Sequence, residues 1–380
     1  MLDPIINFVE WIFDRIGRGI GYVIAFLLWP FLAFGKWYRR RGWLIKGPIA
    51  LVLLLIVASY VYLFMITQFW RGFDQNYVAA YNFKERGVSA GERITAVSDT
   101  SAGGTGTTAN AETCAPSAVV QVTQDLVDMN VNQNQWIPST LFYKLGFFGV
   151  EWKRTPFFDN RAAFQLGVNQ AVRRTSAELI DRLGRVRGTS QLDQDLQNAR
   201  EAMFYPENLW YLSGIRPVQT TPSRFREAIP SFYKFNQRLA SCDATFDPRA
   251  DNLVQFLDRV AADIGSTSDI LRERAEAYNS GWFDTRADDR FWFTYGQLYG
   301  YAGVLAGARA DFDDVIKTRG LTAVWDRMEL QFDQALAMQP SIISNGAEDG
   351  WIMPTHLATA GFYVLRVRSN LVELRDVLDR

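Results

Sequence analysis

The chain has 380 residues, 48% of them apolar and 21% charged, with a net charge of −1 and two cysteines. That length accommodates an anchor plus one or two ordinary domains. The charge is unevenly split: residues 1–70 carry seven Lys/Arg against three Asp/Glu, and the remainder 33 against 38. The mildly acidic remainder lacks the basic face that displaces counterions from phosphates, which excludes nucleic acid as a partner.

In chain order, Ile5, Val9, Ile12, Phe13 and Ile16 fall at helical spacing opposite Asp14, Arg15 and Arg18, the pattern of an amphipathic surface helix. Ile20 to Phe34 is apolar but only 15 residues long and is interrupted by Gly21 and Pro30. It is short for a spanning helix and reads as an interfacial or re-entrant segment. A crossing by Ile20–Trp37 is the alternative. It leaves the following basic loop on the same side, so charge does not separate the two.

Gly47 to Trp70 runs for 24 residues without a charge. As a helix it rises roughly 36 Å, enough to cross a ~30 Å hydrocarbon core with some tilt. Ile49, Leu53, Ile56, Tyr60 and Phe64 are its anchor residues. Lys36, Arg39, Arg40, Arg41 and Lys46 precede it, while Arg71 stands nearly alone after it. This asymmetry sets the topology: N-terminus in the cytoplasm, C-terminal part across the membrane. Trp11, Trp29, Trp37, Trp43 and Trp70, five of twelve tryptophans, lie near the ends of apolar runs, where amphipathic rings prefer the headgroup level. More than 40 residues precede a run too long for a signal-peptide core, so an uncleaved signal anchor is expected.

Beyond a juxtamembrane stub (71–97), residues 98–117 hold eleven Ser, Thr or Gly in twenty, the composition of a flexible linker with ends ~25 Å apart. Its Gly-Gly-Thr-Gly is not a phosphate loop, since no strand precedes it and no Lys-Ser/Thr follows. The expected organisation is 1–46 cytoplasmic and interfacial, 47–70 transmembrane, 71–97 stub, 98–117 linker and 118–380 a periplasmic domain.

Helical periodicity dominates that domain. Val119, Val122, Leu126 and Met129 share one face, as do Phe164, Val168, Ala171, Thr175, Leu179 and Leu183. Leu253, Phe256, Leu257 and Val260 mark a helix with Asp247-Pro248 as cap and first turn. Ala360, Val364, Val367, Leu371, Leu374 and Leu378 stripe the last helix. Alternating strand patterns are scarce, so the fold class is all-α: a membrane anchor followed by a multi-helix periplasmic bundle. Within Phe291–Ala310, Gly296, Gly300, Gly303 and Gly307 lie on one helical face. Each costs a helix about 1 kcal/mol relative to Ala, and close backbone packing is the usual return. Phe291–Ala308 is also charge-free. Its three tyrosines, Gln297 and Thr294 favour a buried central helix over a second span.

Chemistry is sparse. Cys114 and Cys242 both lie on the exported side, where a disulfide is allowed; two unpaired thiols are the alternative. Metal spacings, G-x-S-x-G and H-E-x-x-H are absent, so no metal and no cofactor is expected. No residue is assigned a catalytic role. The candidates are His356, the single histidine, and Asp349, with Glu348 beside it; a structural hydrogen bond is the plainer reading of a histidine at a helix start. Asp284, Asp288 and Asp289 lie at one end of the glycine-striped helix and Asp311, Asp313 and Asp314 at the other, roughly 35–40 Å away. They are read as solvated or capping. The aromatic stretch Leu145–Phe158 suits either a docking patch or a core loop.

Several segments together resemble the bacterial domain-of-unknown-function family 2333: Arg187–Leu196, Thr245–Leu253, Trp282–Leu305, Arg319–Asp326 and Asn345–Arg366. The resemblance runs from about Val122 to the C-terminus. It implies an inner-membrane-anchored protein of Gram-negative bacteria and carries over no catalytic residue. The expected function is a scaffold or assembly partner of an envelope or integral-membrane complex. Its expected contacts are the lipid bilayer and a protein in the membrane or periplasm, and homo-oligomers are compatible. The alternative is an envelope hydrolase using His356 with nearby carboxylates.

Overall fold

The structure, a computed structural model, describes the chain except for residues 1–2, 95–112, 147–148, 153–154, 156–157, 186–191, 279–283, 348–349 and 351–352; of residues 3–14, 16–20 and 23 it describes the backbone alone. The chain divides into two compact units, residues 1–62 and 63–380. The fold is all-α, with two short two-stranded ladders among the described residues.

In the first unit, α1 (Asp3–Arg39) is one continuous helix that runs through Pro30. The sequence reading divided this stretch into a surface helix and a re-entrant segment. The helix persists because a single proline removes one intrahelical hydrogen bond, while breaking an apolar run open would strand several. A turn at residues 40–42 leads into α2 (Trp43–Gln68). The Tyr38 hydroxyl donates to the Lys46 carbonyl (3.1 Å), and the Arg41 guanidinium lies over the Trp37 ring (5.0 Å). Among the described residues, α2 is the one helix long and apolar enough to cross a membrane. Its mean hydropathy is 2.8, and Leu51, Leu53, Leu54 and Leu55 are exposed.

The second unit begins inside the last turns of α2, where Leu63 and Thr67 are buried. Residues 70–85 then lay Phe73, Tyr77, Val78, Tyr81 and Phe83 against the core, so the stretch expected to be a stub is part of the bundle. Strand β1 (Arg93–Ile94) pairs antiparallel with β2 (Thr113–Cys114). The two ends of the stretch expected to be a linker are therefore held side by side. Its residues 98–112 lie outside the described ones, and residues 113–117 are built into the domain. Cys114 is bonded to Cys242, with Cα atoms 5.3 Å apart.

The bundle follows: α3 (Ala118–Asp128), α4 (Leu141–Leu145), α5 (Asn160–Glu178), α6 (Gln194–Met203), α7 (Thr221–Arg226), α8 (Ala228–Ala240), α9 (Ala250–Ala277), α10 (Ala287–Asp311), α11 (Asp313–Thr318), α12 (Thr322–Leu336) and α13 (His356–Leu378). A small hairpin, β3 (Leu212–Ser213) with β4 (Arg216–Pro217), precedes α7. Side-chain caps set several starts: Ser117 accepts from the Val120 N–H, Asp193 from Asp195 and Leu196, and Thr220 from Ser223. The expected Asp247-Pro248 start of α9 is displaced. Both Asp247 carboxylate oxygens take the Arg249 guanidinium instead, and the helix begins at Ala250.

Helix α10 is central, packed by α5 and α3 on one side and by α12, α13 and α9 on the others. Its glycine row explains the closeness. A Cβ on Gly296 would fall on the Phe164 carbonyl oxygen, and one on Gly300 would lie 2.8 Å from the Ala171 Cβ; both neighbours are on α5. On Gly303 it would meet the Tyr77 hydroxyl, and on Gly307 the α3 backbone at Ala118 (2.9 Å). One row thus seats both α5 and α3, and Gly167 of α5 answers from the other side against Phe293 and Gln297. Gly296→Ala is expected to destabilise by about 2 kcal/mol, because overpacking against a backbone carbonyl outweighs the ~1 kcal/mol gain in helix propensity. Gly361 in α13 faces only ordinary contact, the Leu271 Cβ at 3.9 Å. Gly361→Ala should therefore stabilise by about 0.5–1 kcal/mol. Opposite signs in thermal melting of the two variants check the argument.

Candidate functional site

The residues proposed from the sequence are mostly dispersed and structurally employed. His356 opens α13, and its Nδ1 accepts the Ser344 N–H (2.9 Å), which pins the bridge between Asn345 and Thr355. Burial lowers the pKa of the ring. Asp349 and Glu348 lie outside the described residues. Asp284 is fully paired: Arg274 grips both its oxygens, and the Asn345 amide donates to Oδ2 (3.0 Å). Asp311 is buried and caps α3, accepting from Ala118 N (2.7 Å), Val119 N (3.0 Å) and Ser117 Oγ (2.5 Å) with Arg86 alongside. Asp313 pairs with Lys317 (2.6 Å). In the aromatic stretch, Trp152 is buried and donates to the Phe142 carbonyl (2.9 Å). Phe147, Phe148, Lys153, Arg154 and Phe157 are not among the described residues.

A constellation that spacing did not announce forms where the chain enters the bundle from α2. Arg161, 3% exposed, sits in the first turn of α5 and has no carboxylate partner among the described residues. Its guanidinium donates to the carbonyls of Ile66 (2.8 Å) and Phe69 (2.5 Å) and to Asn134 Oδ1, and it lies over the Trp70 ring (5.8 Å). The last carbonyls of a helix lack intrahelical donors and carry partial negative charge, so a buried cation there satisfies both needs. Burial, reinforced by Arg71, lowers the Arg161 pKa to about 10, which leaves it charged at pH 7. Asn134 completes the clasp. It follows a π-turn (Met129–Gln133) whose extra residue aims it at Arg71, where it accepts the N–H (2.9 Å) and donates to the carbonyl (2.7 Å). Trp70 fills the space between Phe73, Phe164 and Trp292, with ring centroids 4.9–5.3 Å away.

Beside this clasp three carboxylates converge from two helix starts: Asp159 immediately before α5, and Asp288 and Asp289 in the first turn of α10. Asp159 is 0% exposed and neither of its oxygens meets a donor. Asp288 is 5% exposed; with its amide turned over, the orientation that satisfies both groups, Asn160 donates to Asp288 Oδ2 (3.2 Å) and accepts the Trp292 indole N–H (3.3 Å). The sequence reading treated Asp288 and Asp289 as solvated or capping, but packing of α5 against α10 brings Asp159 to them. Burial, and then Asp289 and Asp288, raise the Asp159 pKa strongly; burial, and then Asp289, raise that of Asp288. Tyr143 of α4 is pushed up by burial and by the same carboxylates. Among the described residues, no group of His, Cys, Asp or Glu has the arrangement to hold a metal ion.

Away from this junction, a groove of about 490 Å³ runs between residues 75–85, α10 and α12. Its walls include Phe83, Leu305 and Phe332, and at its rim Glu329 takes both Lys84 (2.9 Å) and Arg309 (2.8 Å).

Fold and site together define an all-α protein with one membrane-span candidate whose last turn is clasped by its helical domain. Residues 132–280 match the model of the family described as "Uncharacterized protein conserved in bacteria (DUF2333)", the family that the motifs resemble. The match takes in Arg161, Asp159 and α5 to α9, and leaves α2, α10 and the motifs after residue 280 outside. No curated protein and no solved structure matches the chain.

Proposed function

We propose that this chain is an inner-membrane-anchored scaffold or assembly partner whose helical domain faces the periplasm and serves an envelope or integral-membrane complex. The observation that carries the reading is the clasp at the end of α2: Arg161 binds the carbonyls of Ile66 and Phe69, and Leu63 and Thr67 are buried in the domain. A domain that builds the last turn of the helix into its own core suits assembly better than a catalyst on a loose tether does. Arg39, Arg40, Arg41 and Lys46 favour a cytoplasmic N-terminus, and the Cys114–Cys242 bond favours an oxidising compartment for the domain. In the rival hydrolase reading His356 acts on glycan or lipid, and its hydrogen bond to Ser344 speaks for a structural role instead.

The experiment compares the full chain, a form lacking residues 1–45 and His356→Ala after gentle solubilisation. The scaffold reading expects a defined partner in stoichiometric amount with the full chain and loss of its complex-dependent phenotype when that partner is lost. For His356→Ala it expects a stability loss of about 1 kcal/mol with the partner retained. A variant of unchanged melting temperature that nevertheless loses function would favour the hydrolase.

A further inference from the structure

We propose, resting on the reading of α2 as a membrane span, that Phe142, Leu145 and Val150 form a lipid-binding patch that enters the headgroup boundary of the bilayer where α2 leaves it. Phe142 and Leu145 stand three residues apart on one face of α4, 40% and 59% exposed, and Val150 is 51% exposed. The turn after α4 brings Val150 back beside it: a Cβ on Gly146, at φ 67°, would fall on the Val150 carbonyl. The three apolar side chains are thus exposed together rather than scattered. Lys144 and Glu151, both exposed, edge the patch, as suits a surface that stops at the headgroups instead of entering the hydrocarbon.

What covers the patch follows from its ties to α2. Trp152 donates its indole N–H to the Phe142 carbonyl (2.9 Å) and lays its ring against Phe158 (centroids 4.8 Å). Phe158 in turn packs its ring edge on Phe64 of α2 (centroids 6.2 Å). Leu63 and Thr67 are buried, and Arg161 binds the Ile66 carbonyl. The domain therefore covers α2 from Leu63 onward, not from its end. Phe64 lies seven residues before Arg71, the first charge after the span, a rise of about 10 Å. Were the bilayer to stop short of Leu63, the uncharged run left to it, Gly47 to Tyr62, would reach only about 24 Å, less than the ~30 Å hydrocarbon core. The alternative seats the last turns of α2, and the side chains packed on them, about 5–10 Å into the boundary of the bilayer. A protein on the patch would have to enter that same boundary, so lipid is the occupant.

The test uses the full chain in nanodiscs of phosphatidylethanolamine and phosphatidylglycerol, with one introduced cysteine carrying an environment-sensitive fluorophore. Cys114 and Cys242 are bonded to each other and take no label. Probes go to Leu145→Cys and Val150→Cys in the patch, to Leu54→Cys in α2, and to Thr318→Cys beyond the far end of α10. All four side chains are exposed, so the labelled proteins should melt with the unmodified one. A lipid bearing a nitroxide at the headgroup boundary should quench the probes at Leu145 and Val150 at least about 3-fold more strongly than the probe at Thr318, and a lipid bearing it deep in the acyl chain should quench the probe at Leu54. Leu145→Asp should weaken quenching at Val150 and leave Leu54 unchanged. Quenching at Leu145 and Val150 no stronger than at Thr318, with Leu54 quenched, would overturn the patch and leave the span in place. Blue-shifted emission in the patch that neither lipid quenches would mean that protein covers it, and would overturn the proposal too. Loss of quenching at Leu54 would remove the span itself, and the patch with it.

Discussion

Replacing Arg161 by Leu is expected to destabilise the helical domain by about 4 kcal/mol, a drop of roughly 10 °C in melting temperature. The change removes the donors that satisfy the Ile66 and Phe69 carbonyls, which the apolar replacement leaves without the guanidinium, while Asn134 Oδ1 keeps only the Arg71 N–H. Loss of a hydrogen bond to a charged group costs about 1.5–3 kcal/mol, and stranded partners add their desolvation. Arg161→Lys should recover only part of the loss, because one ammonium cannot reach acceptors that a planar fork spans together. Thermal melting of the two variants beside the unmodified protein checks this; equal stability of Leu and Lys would show that the stem's packing, not the donors, matters. Arg161→Leu should also accelerate protease cleavage near Arg71.

The second large effect belongs to the Cys114–Cys242 bond. It closes a loop of 128 residues in sequence and joins the strand before α3 to the turn after α8. In the chain-entropy account, opening a loop of that size costs about 4–5 kcal/mol. Cys114→Ala is the cleaner variant. Cys242 sits at φ 62°, a left-handed position where most replacements keep the strain and glycine would relieve it. Chemical denaturation of Cys114→Ala, with the unmodified protein measured oxidised and reduced, checks the magnitude. The reduced protein should match the variant.

Much of this architecture can be read from residues near each other in the chain. The uncharged run of α2, the stripes of α3, α5 and α13, and the glycine row of α10 are local periodicities, and each maps onto a helix or a face. The junction is different in kind. Arg161 looks like one more cation in a helix's first turn, and Asp159 like an ordinary residue at a helix start; their roles come from α2 and α10, about 90 and 130 residues away. The ladder that folds 93–94 onto 113–114 is two residues long and has no alternation to detect. Pro30 misled in the opposite sense, since a residue that ends helices in water is tolerated within α1. Asp247-Pro248 had the composition of a cap, yet a neighbouring guanidinium outcompeted the backbone for the carboxylate.

The pairing of Arg93 with Cys114 and Ile94 with Thr113 has a practical reading for anyone who wishes to alter this protein. The ladder fixes Ile94 and Thr113 side by side, and the entropy of joining two fixed ends grows with the logarithm of the intervening length, about 0.6 kcal/mol per doubling. A reporter or affinity module spliced between Ile94 and Thr113 would leave residues 70–85, which pack between α2 and α10, uninterrupted. The same insertion within residues 70–85 would break that packing.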